Sequence, residues 1–133
     1  MRTAITAASL LLLAIACERR AEPAAARSPD GRWALRADRH DGTLVRLVIS
    51  KAGGGGAPES LETRDTDVMK WVAGWSRQSD LLFYGSDTGT RIARRFDGTG
   101  WIDVPVTDDL CRQLEALFVA KYGRGGTHCT PDR

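Results

Sequence analysis

The sequence predicts a mostly β or α+β domain, an antiparallel meander of about six strands with one C-terminal helix packed on it. Three observations lead to this fold class. Short segments in which apolar and polar residues alternate are separated by turns rich in Asp, Gly and Ser. Helical periodicity comes last, after residue 107. The chain of 133 residues has room for one domain, which we expect to span 29–133.

The first two strands are predicted to form a hairpin with one apolar face. Apolar side chains recur at every second position: Trp33, Leu35, Ala37, Val45, Leu47 and Ile49. A three-residue loop at His40-Asp41-Gly42 places both sets on one face, because it pairs Leu35 with Leu47. The last residue of this loop is a glycine, which adopts a left-handed conformation without steric cost. The same register sets Arg36 opposite Arg46, which is unfavourable.

The later strands follow at short intervals. Gly53 to Gly56 belong to a flexible surface loop, since no Lys-Ser/Thr pair follows as a phosphate-binding loop requires. The segment 61–67 is polar and its structure is left open. Further strands are expected at Val68–Ser76, Leu81–Tyr84, Thr90–Phe96 and Trp101–Val106.

A helix is predicted over residues 108–122. Thr107 or Asp108 caps its N-terminus, and Gly123 is suited to end it. Its apolar side chains fall on one face: Leu110, Leu114, Leu117 and Phe118. This stripe needs an apolar partner, and we expect the sheet to provide it.

The N-terminus has the pattern of an export signal. Arg2 supplies a positive charge, and an uncharged run with four consecutive leucines follows over residues 4–16. A helix of this run would reach only about 20 Å, less than the roughly 30 Å of a bilayer core. We therefore interpret residues 1–16 as a signal peptide rather than a membrane-spanning helix.

The end of this signal, Leu13-Ala14-Ile15-Ala16-Cys17, resembles the lipobox of bacterial lipoproteins. The resemblance implies that Cys17 carries a diacylglyceryl group that anchors the chain to a membrane, facing the periplasm. Ordinary cleavage after Ala16 is the alternative. In lipoprotein sorting an Asp after the cysteine retains the protein in the inner membrane, so Glu18 favours the outer membrane. Residues 17–28 then form the lipidated cysteine and a flexible tether.

The chain has three cysteines, of which Cys17 is assigned to a lipid. Cys111 and Cys129 remain, and in an oxidising compartment they are expected to form a disulfide. The chain from Gly123 can return far enough to reach the helix. Two free thiols, or a zinc site with His128 and Asp132, are the alternatives. No metal or cofactor is predicted.

Two stretches share one layout. Ser28-Pro29-Asp30-Gly31 precedes one predicted strand, and Ser76-Arg77-Gln78-Ser79-Asp80 precedes another. Both resemble the Trp-Ser-Pro-Asp-Gly repeats of the β-propellers of the bacterial Tol system. Two such units cannot close a propeller, which needs about four or more blades. The resemblance therefore implies a shared strand–turn–strand pattern, and no propeller function is carried over.

The sequence supplies one candidate for catalysis. Asp87-Thr88-Gly89 resembles the signature of aspartic peptidases, in which paired carboxylates share a proton. Gly85-Ser86 precede it, where that family has apolar residues, so an ordinary turn is the other interpretation. The nearly balanced charge, +2 overall, argues against a nucleic-acid partner.

Aromatic residues supply the candidates for partner contacts. Trp71, Trp75 and Tyr84 are predicted to pack in the core, and any of them that is exposed would be an anchor for another protein. The leading functional hypothesis is a non-enzymatic envelope lipoprotein that binds another protein, as an inhibitor or immunity factor does. The alternative is a small hydrolase that uses Asp87.

Overall fold

The structure, a computed structural model, describes residues 26–123 and 128–133. The expected signal peptide, Cys17 and most of the expected tether lie outside these residues. In the described part, eight strands precede one helix: β1 (Ala26–Arg27), β2 (Trp33–His40), β3 (Leu44–Lys51), β4 (Glu59–Thr66), β5 (Trp71–Trp75), β6 (Leu81–Gly85), β7 (Thr90–Phe96), β8 (Trp101–Asp103) and α1 (Asp108–Tyr122).

The strands form two antiparallel sheets of four strands each, not one meander of six. The first sheet has the order β1-β2-β3-β4 and the second the order β5-β6-β7-β8. The sheets pack face to face because each has an apolar face that must be removed from water. Between them lie Trp33, Leu35, Val45, Leu47, Ile49, Leu81 and Phe83.

Strand β4 was not predicted, because polar residues occupy positions at which a half-buried strand usually has apolar ones. Its second half turns polar residues inward: Thr63 and Asp65 are both buried. The hydroxyl of Thr63 donates a hydrogen bond to the carbonyl of Val45 at 2.8 Å. Strand β4 also occupies the polar segment that the sequence left open, so the chain turns over 67–70. The predicted strand Val68–Ser76 therefore shortens to β5.

The β2–β3 hairpin has the predicted face but not the predicted register. Leu35 pairs with Ile49, and the loop is Asp41-Gly42-Thr43. Asp41 and Gly42 both have positive φ angles, 45° and 83°. This register brings Asp38 opposite Arg46, so that opposite charges face each other instead of two arginines.

The ion pair in this hairpin is bidentate. Arg46 donates to the two carboxylate oxygens of Asp38 at 2.8 and 3.1 Å. These hydrogen bonds, with the positive charges of Arg46 and Arg36, lower the pKa of Asp38 from its ordinary value.

Helix α1 has the predicted bounds and covers the outer face of the second sheet. The hydroxyl of Thr107 caps it by accepting a hydrogen bond from the N–H of Leu110. Gly123 follows its last turn with a φ of 81°. The core between helix and sheet contains Val72, Leu82, Tyr84, Ala93, Val106, Leu110, Cys111, Leu114 and Phe118. Strand β8 ends at Asp103, before Pro105, so the predicted strand Trp101–Val106 is shorter than expected.

The two stretches that share a sequence layout form equivalent turns. In the first turn the hydroxyl of Ser28 accepts a hydrogen bond from the N–H of Trp33. In the second turn the hydroxyl of Ser76 accepts one from the N–H of Asp80. The turns also touch, since the N–H of Asp30 donates to the hydroxyl of Ser79 at 3.1 Å. Each turn introduces the second strand of its own sheet, so the shared pattern marks two separate sheets. Ser28, placed by the sequence at the end of the tether, is buried.

Candidate interaction surface

Trp71 begins β5 at the end of the molecule where helix α1 finishes. Its ring is half-buried and stacks on Phe83, with 6.1 Å between the ring centroids and 19° between the planes. The ammonium nitrogen of Lys121 lies 3.6 Å from the centroid of the indole. A cation at this distance is attracted by the electron-rich face of the ring. The side chain is therefore held between the core and the last turn of the helix.

The backbone of Trp71 is tied to the same helical turn. Tyr122 accepts a hydrogen bond from the Trp71 N–H at 3.0 Å and donates to its carbonyl at 2.8 Å. Lys121 donates to this carbonyl at 2.7 Å. Strand β5 is an edge of its sheet, and these outward-facing groups would otherwise lack a protein partner. The hydroxyl of Tyr122 thus replaces a neighbouring strand and fixes the surface.

Exposed apolar side chains occur in the turn before β5 and in the last turns of α1, the two segments that these contacts join. Val68, in the turn before β5, is 86% exposed. On the helix, Val119 is 50% and Tyr122 is 38% exposed. We call these three residues together with Trp71 and Lys121 the Trp71 surface. Ile102, on the edge strand β8, is the other large apolar side chain exposed within the described part of the chain.

Of the other two aromatic candidates, Tyr84 is buried and Trp75 is half-buried. Tyr84 is buried against Phe118 with 6.1 Å between ring centroids. Burial, followed by the negative charge of Glu115, raises the pKa of the Tyr84 hydroxyl. Trp75 is half-buried beside Trp101, and its indole N–H donates to the carbonyl of Ala26 at 3.0 Å. Of the three predicted contact residues, Trp71 is in contact with an exposed aromatic side chain, that of Tyr122.

Asp87 lies in the turn between β6 and β7 and is exposed. Its carboxylate accepts hydrogen bonds from the Lys70 N–H at 3.3 Å and from the Ser86 hydroxyl at 3.3 Å. Proton sharing by paired aspartates requires a buried site and a second carboxylate. The contacts that the structure gives Asp87 are those of a polar turn residue.

The neighbour of Asp87 has a structural role that the sequence did not indicate. The Thr88 hydroxyl donates at 2.6 Å to Asp65, whose side chain is fully buried. Gly85 faces the same carboxylate, and a Cβ there would overlap it. A polar residue in an ambiguous segment carries no sequence signal of burial, so Asp65 could not be identified in advance.

Cys111 and Cys129 form a disulfide, with their Cα atoms 5.3 Å apart. Their sulfurs are therefore not available as the thiolates of the alternative zinc site. Among residues 26–123 and 128–133, no three His, Cys, Asp or Glu side chains are grouped as metal ligands. Nor does the described part contain a helix long and apolar enough to cross a membrane.

Comparison of the chain with protein-family models, with curated proteins and with solved structures finds no match.

Proposed function

We propose that the protein is an envelope lipoprotein whose body binds another protein through the Trp71 surface. The lipid on Cys17 would hold it facing the periplasm, with the outer membrane favoured by Glu18. The observation that carries the proposal is a tryptophan held in place by Lys121 and Tyr122, with exposed apolar side chains on the two segments that these contacts join. Inhibitors and immunity factors act in this way, by occupying a surface of their partner without chemistry.

The composition of the Trp71 surface supports a protein partner. Tryptophan and tyrosine are the residues most often found at the energetic centres of protein interfaces. Val68 and Val119 add apolar area, and Lys121 adds a charge at the rim. Because the hydrogen bonds between Tyr122 and Trp71 fix the surface before binding, little conformational entropy is lost on association.

The exposed valine Val119 allows a test that does not disturb the core. Purified chain carrying Cys17→Ser, which removes the lipid site, is used to capture partners from envelope extracts. A captured protein is then purified and its affinity measured directly. Val119→Asp should weaken that affinity about tenfold or more, since it places a charge in an apolar contact. The matched control is Ile102→Asp, because Ile102 is 46% exposed on β8, away from the Trp71 surface.

The two variants distinguish the outcomes. An affinity lost with Val119→Asp and retained with Ile102→Asp supports the Trp71 surface. Equal affinities for both variants and the parent chain would contradict it. The hydrolase alternative has its own test: peptidase activity that disappears in Asp87→Ala would replace the binding proposal by an enzymatic one.

A further inference from the structure

A cavity lies at the end of the molecule where helix α1 begins. Its volume is about 360 Å³, within the range of cavities that hold small molecules. It is formed by the turn that precedes β6, the last part of β7, the connection from β8 to the helix, and the first helical turn. The lining residues are Gln78, Asp80, Arg95, Val104, Pro105, Thr107, Asp109 and Leu110. The Trp71 surface lies at the other end of this 15-residue helix, roughly 22 Å away.

One wall of the cavity is a fixed pair of charges. The carboxylate side chain of Asp80 is 2% exposed. Nε and Nη2 of Arg95 donate to its two oxygens at 2.8 and 2.9 Å. Two parallel hydrogen bonds of this kind hold a guanidinium in one orientation. Asp80 thus occupies one edge of the Arg95 guanidinium and fixes the direction of the other edge.

The other edge of Arg95 has donors that no protein group uses. A guanidinium carries five N–H groups, and Asp80 accepts from two of them. In the described part of the chain, no protein atom accepts a hydrogen bond from the remaining three. The side chain lines the cavity and is 55% exposed, so a ligand can reach these groups. Nη1 and Nη2 together match the two oxygens of a planar carboxylate.

The ion pairs around the cavity leave one positive charge unbalanced. Asp109, the other carboxylate of the lining, lies 2.9 Å from Arg77 and 3.4 Å from Arg112. With Arg95 and Asp80, three arginines therefore accompany two aspartates in these ion pairs. A ligand with one negative charge completes the balance. A doubly charged phosphate would bring excess negative charge close to two carboxylates. Charge complementarity thus favours a monoanion.

The other lining residues supply a polar contact and an apolar surface. The hydroxyl of Thr107 accepts from the N–H of Leu110 at 3.3 Å, and its own proton remains available for a second hydrogen bond. Val104, Pro105 and Leu110 contribute apolar side chains. Apolar groups of a ligand gain affinity when they leave water for such a surface. The lining therefore fits a small molecule with one ionised end and an apolar body.

We propose that this cavity binds a small monocarboxylate with an apolar body. The carboxylate accepts two hydrogen bonds from the free edge of Arg95, and the body packs against Val104 and Pro105. A free aliphatic acid and the C-terminal leucine of a short peptide both have this chemistry. The site is separate from the Trp71 surface, so neither proposal depends on the other.

Titration of the purified chain carrying Cys17→Ser, with its disulfide intact, tests the site. The probes are hexanoate, its neutral analogue hexanamide, N-acetylglycylleucine and inorganic phosphate. Hexanoate should shift the NMR amide signals of Thr107 and Leu110. It should bind about tenfold more tightly than hexanamide, which brings no charge to Arg95. Equal binding of these two probes, or no shift of the cavity amides up to about 50 mM hexanoate, would overturn the proposal.

The other two probes identify the source of the carboxylate. Tighter binding of N-acetylglycylleucine than of hexanoate assigns the site to a peptide C-terminus, and the reverse order assigns it to a free acid. Either order supports a carboxylate site. Phosphate that binds more tightly than both would overturn the proposal, because a monoanion is what the charges around the cavity favour.

Variants at the cavity separate ligand binding from folding. Gln78→Glu puts a negative charge on an exposed lining residue without removing the Arg95–Asp80 pair, so hexanoate should bind about tenfold more weakly. The double variant Asp80→Asn with Arg95→Gln leaves no lone buried charge and should abolish binding. Arg94→Gln removes the pair with the exposed Asp103 and is the control, which should bind as the parent chain does.

The variants decide the proposal even where one of them is unstable. Unchanged affinity for hexanoate in Gln78→Glu would overturn the proposal, whether or not the double variant folds. Equal loss of affinity in Gln78→Glu and in the Arg94→Gln control would overturn it as well, since the effect would then not be specific to the cavity.

Discussion

The hydroxyl of Thr88 donates a 2.6 Å hydrogen bond to Oδ1 of Asp65, a carboxylate buried between the two sheets. Asp65 belongs to β4 and Thr88 to the turn after β6, so this bond joins the first sheet to the second. The other oxygen, Oδ2, is buried with no hydrogen-bond partner in the described residues. Thr88 thus supplies the hydrogen bond that the described residues give the Asp65 carboxylate, beside the β5–β6 pair of Trp71 and Gly85.

Replacing Thr88 by valine should destabilise the fold. The change preserves the shape of the side chain but leaves the Asp65 carboxylate buried without its donor, which costs about 1–3 kcal/mol. Urea denaturation of the two chains measures this difference. Thr43→Val, in an exposed turn, is the control and should stay within about 0.5 kcal/mol of the parent chain. Unchanged stability in Thr88→Val would show that the hydrogen bond contributes nothing.

Gly85→Ala should destabilise the protein through a clash with the same carboxylate. The added Cβ meets Asp65, which cannot move without breaking its bond to Thr88. We expect a loss of about 1–3 kcal/mol, typical of overpacking in a core. Gly100→Ala, where a Cβ meets nothing within 4 Å, is the control.

A double-mutant cycle identifies the cause of the Gly85 effect. In an Asp65→Ala background the clash is absent, so adding Gly85→Ala should cost much less free energy than in the parent chain. Equal costs in the two backgrounds would mean that the glycine is required for another reason, such as strand geometry.

The turn at Asp30 should make stability depend on acid pH. The Ser28 hydroxyl and the Arg32 N–H donate to Asp30 and lower its pKa from 3.8 to about 2. The folded state therefore favours the ionised carboxyl more than the unfolded chain does. This contribution is complete above the unfolded value and disappears as the pH falls toward 2.

Asp30→Asn should accordingly be less stable than the parent chain at pH 7, and the difference should shrink as the pH falls below about 4. Thermal unfolding at a series of pH values measures it. A difference that stays constant between neutral pH and pH 2 would contradict the role of the ionised carboxyl.

Cys17→Ser should release the protein from membranes into a soluble fraction. Lipidation of this cysteine would bury acyl chains at about 0.8 kcal/mol per CH₂, and two chains anchor a protein stably. Metabolic labelling with palmitate should mark the parent chain and not the variant. A parent chain without label would show that Cys17 follows an ordinary cleavage site.

Helix α1 and strand β7 were predictable because local signals define them. An apolar stripe, a capping threonine and a terminal glycine locate the helix within a single stretch of sequence. Asp-Gly and Gly turns likewise bound β7 on both sides. The disulfide was predictable by counting cysteines, since a small number of them leaves few pairings.

Tertiary structure decided those features of the fold that depend on contacts between residues far apart in the chain. The sequence by itself determined the apolar faces of the β2–β3 hairpin and the bounds of the helix, both of which arise from neighbouring residues. The division into two sheets, the pairing of β4 and the burial of Asp65 depend on how one sheet packs on the other. The hairpin register also differs from the predicted one, and it sets Asp38 opposite Arg46. Periodicity shows which side of a strand is apolar, but only packing decides which strand lies beside it and which polar group is enclosed.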